Sequence, residues 1–121
     1  MTVALPDLYY LASPYTNPDP AVRQVRFQAA CEATAHLMRQ GMHVFSPIVH
    51  SHPLTAYLPA GWDFWRPVDL HFLGLCQRFI VLMLPGWRES VGVGDEIRAW
   101  TATGRAVEHM SWPPEQESDW P

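Results

Sequence analysis

Phe79-Ile80-Val81-Leu82-Met83-Leu84 is a continuous apolar run, closed by Pro85-Gly86-Trp87. A run this short and this apolar reads as a strand buried on both faces. Such a strand belongs in a parallel sheet covered by helices on either side. The rest of the chain is consistent with that constraint. Leu8–Ser13 is a second short apolar run, stopped by Pro14. Asp19 is a good N-cap and Pro20 suits the first helical position. Val22, Val25, Ala29, Ala33 and Leu37 then recur at the spacing of one helix face, and Gly41 stands where a helix C′ glycine is expected. His43–Ser46 reads as a strand ended by Pro47. Ile48 to Gly61 reads as a long loop with at most one helical turn near Ala56. A helix is expected between Trp62 and Gln77, with Pro67 either kinking it or marking its first turn. Another is expected from about Val93 to Thr103, closed by Gly104, and a last short strand over Arg105–Glu108. The order β-α-β-loop-α-β-α-β predicts an α/β sandwich with a parallel sheet of four to five strands and helices on both faces. Residues 1–110 are expected to form one domain and 111–121 a tail.

Composition narrows the function classes. Hydrophobic residues make up 48% and charged residues 17% of the 121, enough for one core and too little charge for a disordered chain. The net charge is −4, and the eight basic residues, all arginine, form no cluster, so no nucleic-acid face is expected. No apolar stretch is long enough to cross a membrane. The first residues lack the basic and apolar regions of a signal peptide, and Cys31 and Cys76 are expected to stay reduced, so a cytoplasmic protein is expected. His50-Ser51-His52 invites a metal reading. No third ligand stands at a recognisable spacing, however, and the cysteines form no C-x-x-C pair, so neither a metal nor another cofactor is expected.

In a parallel α/β sheet, ligands bind beyond the carboxyl ends of the strands. Here those ends are Ser13-Pro14-Tyr15, Ser46-Pro47 and the loop after Leu84. Three features near them carry chemistry. Ser90-Val91-Gly92-Val93-Gly94-Asp95-Glu96 places two glycines and a hydroxyl at a helix start, where backbone N–H groups attract anions; its other reading is a flexible connection. Glu96 shares a helix side with Val93 and Trp100, which would shield its carboxylate; its other reading is an acid that serves the helix dipole. Asp69 sits in the apolar stripe Trp65, Phe72, Leu73, Cys76. Aspartate is rarely buried alone, so a partner or ligand is expected unless it is merely an N3 acid after Pro67. Tyr10 reads as a core residue and Tyr15 as a freer one. Trp62, Trp65 and Trp87 are candidates for the aromatic wall of a pocket.

Tyr10-Leu11-Ala12-Ser13-Pro14-Tyr15, Asp69-Leu70-His71-Phe72-Leu73 and the Ser90–Glu96 loop with Ala99 together resemble the nucleoside 2-deoxyribosyltransferase superfamily. The last of these is similar to the S-x-G-x-G-x-E…A motif of 2′-deoxynucleoside 5′-monophosphate N-glycosidases. Leu84-Pro85-Gly86-Trp87 and Ser46-Pro47-Ile48 resemble a poorly characterised branch, a domain of unknown function. The resemblance covers roughly Tyr9 to Val107. It implies a flavodoxin-like fold and cleavage of an N-glycosidic bond in a nucleoside or its 5′-monophosphate, by water or by an incoming base. Carried over by position, Glu96 is the nucleophile at C1′, Asp69 assists departure of the base or orients the sugar, and Tyr10 lies beside the nucleophile. Ser90 and the backbone amides of Gly92 and Gly94 hold a 5′-phosphate. Ser13, Tyr15, Ser46 and Trp87, at or near the strand ends, are the other expected substrate contacts. The resemblance also implies a homodimer or larger homo-oligomer. Gln77 stands where relatives carry an aspartate, and Asp95 adds a second acid beside Glu96. Two competing readings are a module that binds a nucleotide or nucleotide-sugar without turning it over, and an interaction protein whose tryptophans form the interface.

Overall fold

A computed structural model describes residues 4–114; the expected tail falls largely on 115–121, outside the described residues. Four strands, β1 (Leu8–Ala12), β2 (His43–Phe45), β3 (Arg78–Leu82) and β4 (Glu108–Met110), form one sheet in the order β2-β1-β3-β4. Every pairing is parallel, with Leu8 opposite His43, Tyr9 opposite Arg78 and Ile80 opposite Glu108. This is the flavodoxin-like doubly wound order, and the direction of winding reverses between β1 and β3.

The strands alternate their side chains between two packed layers. Tyr10, Ala12, Phe79 and Val81 meet Leu73, Val93 and Trp100 on one face. Leu11, Ile80 and Leu82 meet Ala33 and Leu37 on the other. Each large side chain buried this way contributes about 1.5–3 kcal/mol. The first face is covered by α3 (Trp62–Gly74) and α4 (Val91–Thr101), the second by α1 (Pro20–Arg39).

Helix α1 starts as its sequence requires: the Asp19 carboxylate accepts from the Ala21 N–H, Pro20 opens the first turn, and Gly41 follows the helix at φ +87°. Its buried face keeps the later part of the predicted stripe, Ala33 and Leu37 with Ala29 packed against the same core, and loses the earlier part. Ala30, Ala33, Thr34 and Leu37 are buried, whereas Val25 is 67% exposed. Length explains this. Twenty helical residues span about 30 Å, while the five residues of β1 span about 17 Å. The first turns of α1 therefore overhang the sheet at the strands' carboxyl ends. Val22 and Val25 line a shallow apolar groove there with Leu84 and Pro85.

The expected loop over Ile48–Gly61 is instead partly helical. Ser46 caps a short helix α2 (Pro47–Ser51), its Oγ accepting from the Val49 N–H at 3.2 Å, and a 3₁₀ turn follows over His52–Ala56. The Ser-Pro pair is a helix start rather than only a strand stop. In α3, Pro67 is the sixth residue, inside the helix and past the first turn. The last strand begins at Glu108, not Arg105. The residues before it are committed to Trp100, whose indole N–H donates to the Ala106 carbonyl at 2.9 Å while the Arg105 guanidinium lies 3.6 Å over the ring.

Candidate active site

A cleft of about 580 Å³ opens beyond the carboxyl ends of β1 and β3, at the point where the sheet winding reverses. Ser13 and Tyr15 enter it from the end of β1, Gly86 from the end of β3, and Ile48 and Ser51 from α2. Trp62, Trp65 and Asp69 come from α3, and Ser90, Gly92 and Glu96 from the start of α4.

Asp69 and Glu96 are thus brought into one cavity from two helices, and each is only 3% exposed. Asp69 is the eighth residue of α3 and Glu96 the sixth of α4. Neither lies in a first turn, so the helix dipole does not account for either. Burial pushes Asp69 up to about 7. Burial also pushes Glu96 up to about 8, and the charges of Asp69 and Asp95 add to the rise, while a hydrogen bond from the Tyr10 hydroxyl opposes it. Tyr10 itself is fully buried under the cleft, and its phenol is held well above its ordinary range by the same burial and by Glu96. Two polar atoms on the wall, Asp69 Oδ1 and Ser13 Oγ, are buried with no hydrogen-bond partner among the described residues. Buried polar atoms of that kind cost about 1–3 kcal/mol each unless a ligand or water satisfies them.

Ser90 is the N-cap of α4. Its Oγ accepts from the Val93 N–H at 3.2 Å, which leaves its own O–H free for another acceptor, and the residue lines the cleft. The amides of Val91 and Gly92 belong to the first turn, before the helix's own ladder begins. The Trp62 ring lies against the turn at Gly92, where a Cβ would meet it at 3.4 Å, an ordinary contact distance. Gly94 does not reach the cleft; its N–H is spent on the Ser90 carbonyl at 3.0 Å. Asp95 also faces elsewhere. It accepts from the Trp62 indole N–H at 2.7 Å and pairs with Arg66 and Arg98, contacts that hold it below the usual carboxylate range. It locks α3 to α4 instead of placing a second negative charge in the cavity.

Two other expected substrate residues stand outside the lining. Ser46 is consumed as the cap of α2, and it is the following Pro47, Ile48 and Ser51 that reach the cleft. Trp87 turns away to pack 5.6 Å from the His109 ring with Arg88 over its own face. Gln77 lies at the opposite, amino edge of the sheet, where its Oε1 accepts from the Leu8 N–H at 2.7 Å, so the residue type there does not bear on the cleft. Among the described residues, no group of three or more His, Cys, Asp or Glu side chains could hold a metal, and both cysteines are free thiols. Within the same residues, no helix is long and apolar enough to cross a membrane.

Arg26 was not legible as a site residue, because its importance comes from the overhang of α1. Its guanidinium donates to the carbonyls of Tyr15, Thr16 and Pro85, so it ties the two loops that form the cleft mouth, and it lines the cavity itself. Gly86 makes this possible. Its φ is +92°, and a Cβ there would fall 2.6 Å from Arg26 Nη2. Gly86→Ala should therefore cost about 1–3 kcal/mol in a urea unfolding titration, through backbone strain and a displaced Arg26. An unchanged midpoint would mean that Arg26 does not bind the loops together.

The class defined by this architecture is the flavodoxin-like α/β sandwich, with its cleft at the winding switch. A solved structure of a 2-deoxyribosyltransferase from the psychrotolerant bacterium Bacillus psychrosaccharolyticus is similar to it, with a TM-score of 0.61 and 23% identity over 90% of this chain and 74% of that one. The model of the family described as domain of unknown function DUF1937 matches residues 7–112, and the chain belongs to that family. Among curated proteins, none matches the sequence.

Proposed function

We propose that the protein cleaves the N-glycosidic bond of a nucleoside or its 5′-monophosphate, with Glu96 as nucleophile. The observation that carries this reading is the pair of buried carboxylates, Glu96 and Asp69, in one cleft with the Tyr10 hydroxyl on Glu96. The likeness to a 2-deoxyribosyltransferase structure supports it at the level of fold.

With Asp69 rising to about 7 and Glu96 to about 8, the pair holds one proton in the neutral range. The higher Glu96 value places that proton mostly on Glu96; the productive form is the less populated one, with the proton on Asp69 and the charge on Glu96, where the Tyr10 O–H stabilises it. Glu96 then attacks C1′ as the C1′–N bond breaks, and Asp69 gives its proton to the departing base. Water, deprotonated by the resulting Asp69 carboxylate, attacks C1′ and frees Glu96; an incoming base in place of water makes the reaction a transfer. Trp62 and Trp65 offer flat surfaces for the base. Arg26, the Ser90 hydroxyl and the first amides of α4 suit a phosphate.

Incubation with a panel of deoxynucleosides and their 5′-monophosphates, followed by chromatography of the free base, tests the reading. Base release from at least one member is the expected result. Saturable binding with no release after long incubation would instead favour a nucleotide-sensing module, and neither binding nor release would overturn both.

A further inference from the structure

Tyr15, His52 and Gln24 form a chain of hydrogen bonds running from the cleft into α1. The Tyr15 hydroxyl lies 2.6 Å from His52 Nδ1, and His52 Nε2 lies 3.0 Å from Gln24 Oε1. The three residues come from the loop after β1, the 3₁₀ turn and the overhanging part of α1. The imidazole is stacked on Phe27, with ring centres 4.2 Å apart, and meets Tyr15 edge-on, so it is clamped in place. Tyr15 is 7% exposed and forms part of the cleft wall.

The donor and acceptor assignments follow from the end of the chain. An amide oxygen only accepts, so Gln24 Oε1 requires a proton on His52 Nε2. A neutral imidazole protonated there has a bare Nδ1, which accepts the Tyr15 proton. The Tyr15 oxygen is then left with lone pairs and no hydrogen for any second partner.

We propose that Gln24 and His52 fix Tyr15 as a hydrogen-bond acceptor toward the cleft. The group that a ligand sets against it is then a donor, such as an amino group, rather than an oxo group, and protonation of His52 reverses this selectivity. An imidazolium donates from Nδ1 to the Tyr15 oxygen and so turns the phenol's own proton out into the cleft. Two features favour the neutral ring at neutral pH. Burial and the nearby Arg23 charge both hold His52 below its ordinary value. Of the other groups packed on the ring, Tyr15 is the titratable one, and Gln24 and Phe27 are neutral. His50 of α2 turns the opposite way, onto Phe45, Phe72 and Trp65. The inference takes only its choice of probe ligand from the nucleoside reading.

The test uses the full chain, labelled with ¹⁵N on histidine. At pH 8 the His52 ring should carry its proton on Nε2 and leave Nδ1 bare. Gln24→Glu sets a carboxylate against that N–H and should move the titration of the ring up by about one unit. Calorimetry from pH 5 to 8 then compares 2′-deoxyadenosine 5′-monophosphate with its 6-oxo counterpart, 2′-deoxyinosine 5′-monophosphate. The amino form should bind roughly tenfold more tightly at pH 8. The preference should collapse in acid, with a midpoint displaced upward in Gln24→Glu, and Tyr15→Phe should show no pH-dependent preference. A proton on Nδ1 at pH 8 would overturn the proposal, as would an amino-to-oxo ratio that stays constant with pH in both proteins. Should neither nucleotide bind, the nucleoside reading falls, and the tautomer of His52 decides this proposal by itself.

Discussion

Glu96→Gln should lower single-turnover base release by at least about a thousandfold and at the same time make the protein more stable in mild alkali. The two effects have one origin. An amide keeps the shape of the carboxylate and still accepts from the Tyr10 hydroxyl, but it neither attacks C1′ nor carries charge. The stability effect follows from proton linkage. The native state holds the Glu96 proton up to about pH 8, whereas the unfolded chain releases it near 4.5. The native state therefore binds more protons across that window, so wild-type stability falls as pH rises through it. The full cost of ionising the buried acid is about 5 kcal/mol above pH 8, absent below about 4.5. The amide variant escapes that cost. The melting temperatures of wild type and variant should nearly coincide at pH 4.5 and diverge steadily toward pH 8, at roughly 4 °C for every kcal/mol. Parallel curves would mean that Glu96 ionises without penalty, and retained base release would remove it as the nucleophile.

The same buried acid illustrates what the sequence made legible. Spacing places Val93, Glu96 and Trp100 on one helix side, and all three are buried. The Phe79–Leu84 run marks β3, although the strand itself ends at Leu82, and Asp19-Pro20 with Gly41 brackets α1 closely. These are local signals, each set by a period or a backbone requirement. Contacts between distant segments left no such trace. Tyr15 is 37 positions from His52, and His52 is 28 from Gln24. Arg26 reads as an exposed helix residue until the overhang of α1 carries it to the ends of β1 and β3. Trp87 shows the converse case. A tryptophan just after a strand end can turn into the cleft or onto the neighbouring strand, and only the position of His109 on β4 decides it. Ser46-Pro47 did carry a local signal, that of a capped helix start, which was masked by its equal value as a strand stop. Asp69 lay between these cases. The apolar stripe around it was visible, but its place in the middle of α3 depended on Trp62 starting the helix before Pro67.

Asp69→Asn separates the acid from the nucleophile. The substituted amide fills the same space but has no proton to give a departing base, so kcat/KM should fall by about 10² to 10⁴. The loss should be graded. Substrates whose base leaves readily as an anion need the least help and should lose least, so a plot of log kcat/KM against the acidity of the leaving base should steepen in the variant. The pH profile sharpens the assignment. In the wild type, activity should be greatest near pH 7–8, where the pair holds a single proton, and should decline when both acids are protonated or both are charged. The variant has lost one of the two titrating groups, so its fall at high pH should disappear. Its remaining rise belongs to Glu96, which no longer faces a second carboxylate. The charge of Asp69 is one cause of the high Glu96 value, so that rise should move toward acid. A uniform loss across leaving groups with both limbs kept would place Asp69 in a binding contact and leave proton delivery to another group. Loss of the alkaline limb with an acid-shifted rise has no explanation in packing, because Asp and Asn are nearly identical in volume and differ here only in charge and proton.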